Sequence, residues 1–175
     1  MDTSDTNRML YPIGETELQN RRLITQAQLY NPFTRAFFRA AGISSGMKVL
    51  ELGSGTGDVS LVLADLVGPN GSVVGVELKP SAVETARSRT AAAGWRNVKY
   101  LAGAIESVEL EQDFDAVVGR FILMWLPDPL AVLERVTHHL RPGGVVAFQD
   151  NDFTFGVTAS APLPLLDKVN AWMKG

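Results

Sequence analysis

The chain has no cysteine, which excludes a disulfide framework, a thiolate metal site and a cysteine nucleophile. Its two histidines, His138 and His139, are adjacent and too few for a histidine-rich metal centre. No apolar run reaches the ~20 residues that cross a bilayer, and the start, Met1-Asp2-Thr3-Ser4-Asp5-Thr6, lacks the basic-then-apolar layout of a signal peptide. Basic residues are not in excess either. A net charge of −3 offers no basic surface to displace counterions from nucleic acid. The expectation is a cytoplasmic protein with no metal, no nucleic-acid partner and no membrane span.

What is present is an ordinary globular balance, 46% hydrophobic and 20% charged over 175 residues, which suits one domain with a real core. The organising stretch runs from Lys48 to Ser60. Val49, Leu50 and Leu52 fit a buried strand, Gly53, Gly55 and Gly57 recur at every second residue, and Val59-Ser60-Leu61-Val62-Leu63 opens an amphipathic helix. A turn without Cβ atoms lets backbone approach a ligand, and the helix behind it presents unpaired N–H groups. The spacing does not fit a dinucleotide fingerprint, because the third glycine comes one residue early and Asp58 stands in its place. A carboxylate there repels pyrophosphate. No Lys-Ser/Thr pair follows, so a P-loop is excluded as well.

Glu51-Leu52-Gly53-Ser54-Gly55-Thr56-Gly57 resembles the first motif of the class I S-adenosylmethionine-dependent methyltransferases, acidic-x-Gly-x-Gly-x-Gly. The resemblance implies a loop whose Glu51, Gly53, Ser54, Gly55 and Gly57 frame the methionine part of S-adenosyl-L-methionine. Ser72 to Glu77 reads as a second strand ending on a carboxylate twenty residues beyond Gly57, where strand-helix-strand folds place the acid that holds ribose hydroxyls. Leu78 and Ile105 then flank adenine. Gly103-Ala104-Ile105-Glu106 stands where the family usually has Gly-Asp-Ala-Glu, so Ala104 replaces an aspartate that binds the adenine amino group. Losing that bond costs about 1 kcal/mol, which weakens adenine binding without abolishing it. Arg120, at the end of the fourth strand, offers its backbone at the donor end.

Along the chain, Glu15 to Leu29 reads as one helix. Asn31-Pro32 supplies an N-cap and first-turn proline for a second, Phe33 to Ala41. Arg22 and Gln26 share a helical face; the family's leading segment covers the cofactor, and a plain solvated face is the other reading. Ser81-Ala82-Val83-Glu84 fits a capping box for the helix to Ala93. Asn97 to Leu101 and Phe114 to Gly119 are further strands. Asp128 and Pro129 cap a helix carrying Leu130, Leu133, Val136 and Leu140 toward the sheet. Met124 and Trp125 either line an acceptor pocket or belong to the core. Trp125 stands where relatives often have histidine, and His138 and His139 read as structural at a helix end. Leu140-Arg141-Pro142-Gly143-Gly144 is a tight turn into a fifth strand, Val145 to Gln149. Asp150 or Asp152 either acts as a general base or orients an acceptor or, as favoured here, caps the loop. Pro162 to Met173 suggests a last helix.

These elements make an α/β fold: a doubly wound, mainly parallel sheet of five strands, order 3-2-1-4-5, with helices on both faces and an N-terminal helical cap. One domain is expected, with a helical segment over 1–42, a cofactor-binding core over 46–150 and a short tail over 151–175. The tail lacks the hairpin that the family normally adds as strands six and seven, so the sheet edge is expected to pair in a homo-oligomer. The implied function is methyl transfer from S-adenosyl-L-methionine to a small-molecule acceptor, leaving S-adenosyl-L-homocysteine. A non-catalytic cofactor-binding or interaction module and a nicotinamide-binding oxidoreductase are the rival readings.

Overall fold

In a computed structural model, residues 17–151 and 162–174 are described. Five strands, β1 (Lys48–Leu52), β2 (Ser72–Glu77), β3 (Val98–Ala102), β4 (Phe114–Arg120) and β5 (Leu140–Gln149), form one sheet. Its order is β3-β2-β1-β4-β5 and all neighbours are parallel. The helices are α1 (Glu17–Ala40), α2 (Asp58–Val67), α3 (Pro80–Ala92), α4 (Pro129–Thr137) and α5 (Pro164–Lys174). The expected architecture is therefore observed, and the chain direction across the sheet reverses between β1 and β4.

Alternation within the strands makes two cores. Val49, Val73, Ala116 and Val118 face α1 and α2 with Phe38, Val62 and Leu63. Leu50, Leu52, Val74, Val76 and Val117 face α4 with Val132 and Val136. Val83, Ala86 and Tyr100 extend the first face toward α3, sharing Val98 with it. Apolar side chains on both faces of β1, β2 and β4 are what a sheet covered on both sides requires.

Four local expectations are corrected. The two leading helices are one: α1 continues through Pro32. An interior proline forfeits a backbone bond and costs about 3 kcal/mol, but burial of Ala27 and Phe38 on either side holds the helix. Asn31 does not cap; its Oδ1 accepts from Arg120 Nη1 at 2.9 Å. The capping box at Ser81 does not form, because Pro80 already occupies the first turn of α3, and the Ser81 carbonyl accepts from Thr85 Oγ1 instead. On α4, Val132 and Val136 face the sheet while Leu130 is exposed and Leu140 belongs to β5. The turn at Arg141 to Gly144 lies inside β5, as a bulge between the Phe114–Leu140 and Ala116–Val145 pairs, with Gly143 left-handed at φ 78°. Asp128 caps α4 as expected, accepting from Ala131 N at 3.0 Å. The last helix is present as α5. His139 is held by the Glu111 carbonyl and Gln112, consistent with a structural part.

Candidate functional site

A cavity of about 390 Å³ opens at the carboxyl ends of β1, β2 and β4, where the strand order reverses and open parallel sheets place their ligands. Of the ten residues singled out from the sequence, Glu51, Gly53, Ser54, Gly55, Glu77, Leu78, Ala104, Ile105 and Arg120 line it. Gly57 does not. It lies beneath the loop, where a Cβ would sit 2.8 Å from the Tyr100 hydroxyl and 3.1 Å from Ala86 Cβ.

The glycines serve separate ends. At Gly53 a Cβ would collide with Ile122 at 2.6 Å, so this position is bare for packing. At Gly55 nothing stands within 4 Å; the left-handed φ of 52° is what selects glycine, and it leaves open backbone at the cavity. The Gly55 N–H is engaged within the loop. It donates to Glu77 Oε2 at 2.9 Å, and Lys79 N–H donates to Glu77 Oε1 at 3.0 Å. Two backbone donors thus fix the strand-end carboxylate, and each oxygen retains a lone pair for a hydroxyl.

The loop is also tied from behind. Arg89 on α3 donates from Nη1 to the Thr56 carbonyl and from Nη2 to Asp58 Oδ1, both at 2.6 Å. Asp58 is therefore an ion-paired residue, and its side chain is only 12% exposed. The Ser54 side chain is buried, and its hydroxyl finds no partner among the described residues.

Glu51 is 1% exposed and accepts from Ser60 Oγ. Burial pushes its carboxyl up from 4.5 to about 7, against the opposing pull of Ser60 and Arg120. Burial also draws the Arg120 guanidinium below its ordinary value, opposed by Asp58 and Glu51. Arg120 is anchored to α1: Nη1 donates to Asn31 Oδ1 and to Thr34 Oγ1 at 3.0 Å, and Thr34 in turn donates to Gln149 Oε1 at 2.7 Å. This tie across α1, β4 and β5 was missed from the sequence, which placed only the Arg120 backbone here; partners 86 to 115 residues apart leave no local signal.

Beyond Arg120 the wall turns apolar, with Phe121, Ile122, Met124, Trp125 and Leu126 lining the cavity opposite Arg22 and Gln26 of α1. Phe121 is left-handed at φ 57° without being glycine, a strained state held by its N–H bond to the Gln149 carbonyl and by edge-on packing with Tyr30 at 5.0 Å. Asp150 accepts from Leu123 N, the loop-capping part favoured from the sequence. Asp152 lies outside the described residues.

The methyltransferase-domain family model matches residues 43–174. The chain belongs to this family. It is a class I, S-adenosylmethionine-dependent methyltransferase domain, and the family implies S-adenosylmethionine as its cofactor. A demethylmenaquinone methyltransferase from Staphylococcus aureus is 36% identical over 106 residues, 60% of this chain and 43% of that protein, so the chain spans less than half the length of this relative. A SAM-dependent methyltransferase from Aquifex aeolicus shares the fold at a TM-score of 0.67 and 22% identity, covering 81% of this chain and 78% of that one. An arsenic(III) S-adenosylmethionine methyltransferase from Chlamydomonas reinhardtii is 37% identical at a TM-score of 0.57, over 62% of this chain and 40% of that one. Among the described residues no group of side chains is disposed to hold a metal, and no helix is long and apolar enough to cross a membrane.

The methyltransferase domain's cavity suits an adenosyl sulfonium. It has an open backbone floor at Gly55 and an oriented carboxylate at Glu77, and Glu51 and Asp58 are part of its lining. An unpartnered buried hydroxyl at Ser54 adds a hydrogen-bonding group. Ala104 lines the same cavity without a polar side chain.

Proposed function

We propose that this domain binds S-adenosyl-L-methionine and transfers its methyl group to a small, partly apolar acceptor held between α1 and the exit of β4. One observation carries the reading: Glu77, fixed by the Gly55 and Lys79 N–H groups, borders a cavity floored by glycine backbone and walled at its far end by Met124 and Trp125. When bound, the cofactor supplies an electrophilic methyl carbon on a sulfonium.

The chain's own residues bind and align. Glu77 takes the ribose hydroxyls, Leu78 and Ile105 flank adenine, and Glu51, Gly53, Ser54 and Gly55 receive the methionine part. Gly57 lets the loop lie close against Tyr100. Arg120 locks α1 over the site, so α1 closes one side and limits water. Displacement at a methyl carbon gains chiefly from alignment in a dry site, so no strong general base is required. The apolar wall favours an acceptor with a ring or hydrocarbon surface. The similarity to a demethylmenaquinone methyltransferase makes quinol-type rings the first to try.

Calorimetry with S-adenosylhomocysteine on the wild type and Glu77→Ala tests the cofactor site. Unchanged affinity in the variant removes the ribose assignment. Turnover against a panel of quinols, phenols and amines tests the acceptor class. Sedimentation tests pairing through the β5 edge, where Val146 is exposed; a monomer at high concentration counts against it.

A further inference from the structure

The turn that leaves β3 is gripped from α4. Ala104, Ile105 and Glu106 line the cavity, and among the described residues none from α4 joins them. Arg135 of α4 instead reaches the turn from outside the cavity, donating from Nη1 to the Ile105 carbonyl at 3.1 Å and from Nη2 to the Val108 carbonyl. The Ile105 side chain, 7% exposed, belongs to the same core as Val132 and Val136 of α4. Apolar packing holds the turn against α4, and a planar guanidinium spanning two carbonyls fixes its rotation as well.

The other bonds of the turn leave two donors over. The Ala104 carbonyl accepts from the Ser107 and Val108 N–H groups at 3.1 and 2.9 Å, and the Gly103 N–H donates to the Glu77 carbonyl at 2.9 Å. The Ile105 and Glu106 N–H groups find no acceptor among the described residues. Each peptide unit is planar and trans, so its N–H points opposite to its carbonyl. With the Ile105 carbonyl drawn to Arg135, the Glu106 N–H points away from α4. With the Ala104 carbonyl turned in to Ser107 and Val108, the Ile105 N–H points out of the turn. Both donors stand beside Ala104, which brings no polar side chain of its own.

We propose that Arg135 is a positioning residue for base recognition. By holding the Ile105 and Val108 carbonyls, it aims these main-chain donors at the adenine of the cofactor, and the site selects a purine whose N1 is an unprotonated acceptor. This rests on the cofactor reading above, with adenine beside Leu78 and Ile105. The Gly103 bond keeps the turn in register with Glu77, so base and ribose are met together. A fixed donor discriminates because a base that presents N–H at that point sets donor against donor. A donor free to rotate away loses that power.

The test is calorimetry on the full chain with S-adenosylhomocysteine, with S-inosylhomocysteine, whose N1 carries a proton, and with S-ribosylhomocysteine, which has no base. The wild type is expected to prefer the adenosyl over the inosyl ligand by about 20-fold. Arg135→Met keeps an aliphatic stem and removes the fork. It is expected to weaken S-adenosylhomocysteine about ten-fold and leave the other two ligands within about two-fold, which cuts the preference to about two-fold. Arg135→Lys offers a point charge in place of the fork and restores the preference part-way; its reduced preference carries the test if Arg135→Met does not fold. A merely loosened fold weakens all three ligands in parallel, and that result overturns the proposal. So does a preference absent from the wild type, or one unchanged in Arg135→Met or, should that variant not fold, in Arg135→Lys. No binding of S-adenosylhomocysteine by the wild type overturns the cofactor reading and the proposal with it.

Discussion

At the β1–β2 end of the cleft, the groups around the ligand-facing backbone are tied to other parts of the fold. Gly55 is bonded to Glu77, Thr56 and Asp58 to Arg89, and Glu51 to Ser60. At the β4 exit the wall is a short 3-10 turn, Leu123–Trp125, with none of its residues buried and Met124 exposed. The first end is set by strand pairing and backbone bonds, which admit little change. The second is a loop surface, where side chains can differ without disturbing the sheet. Such a division is what one cofactor and many acceptors require.

Changes at the first end are therefore expected to be large and those at the second small. Gly57→Val forces a left-handed branched residue against Tyr100 and Ala86; about 2–5 kcal/mol of stability is lost and S-adenosylhomocysteine binding disappears, read by thermal melts and calorimetry. Glu51→Gln separates binding from stability. Because burial raises the Glu51 carboxyl from 4.5 to about 7, the folded state holds a proton that the unfolded state gives up between those values. Stability therefore falls as pH rises through that window and levels off above it. The glutamine variant escapes this, so without ligand at pH 8 it is more stable by on the order of 2–3 kcal/mol, with little difference near pH 4. A melting temperature insensitive to the change at both pH values would place Glu51 in a wetter setting than the structure shows.

Glu77→Ala removes charged acceptors and strands two backbone donors, so affinity for S-adenosylhomocysteine drops on the order of 10- to 100-fold by calorimetry. Ala104→Asp supplies a side-chain acceptor at the proposed adenine end, and tighter binding by about five-fold is the expected gain. Trp125→Ala gives the smallest effect. Affinity for S-adenosylhomocysteine stays within about two-fold, while the KM of an acceptor found in the turnover panel rises. If Trp125→Ala weakened the cofactor as much as Glu77→Ala, the two ends would not be separable.

The glycine spacing, the strand-end Glu77 and the alternation of buried strands were legible because each is local: a turn, a pleat or one strand-helix-strand return. The break expected at Asn31-Pro32 was not, since local preference stops a helix there while burial of Ala27 and Phe38 carries α1 through. The capping box at Ser81 failed similarly, when the proline before it took the first turn. In the site, nine of the ten chosen residues meet at one cavity, yet what holds them was invisible. The Arg89 fork and the Asn31–Arg120–Thr34–Gln149 tie join residues with no spacing rule between them.

The sequence by itself determined the sheet, its order and the place of the cleft, because periodicity and right-handed crossovers leave few alternatives. Tertiary structure alone decided the electrostatics. Glu51 sits near 7 and Asp58 is paired because of how deeply each is buried and which distant side chain folding brings beside it. Neither quantity is written in any local run of residues.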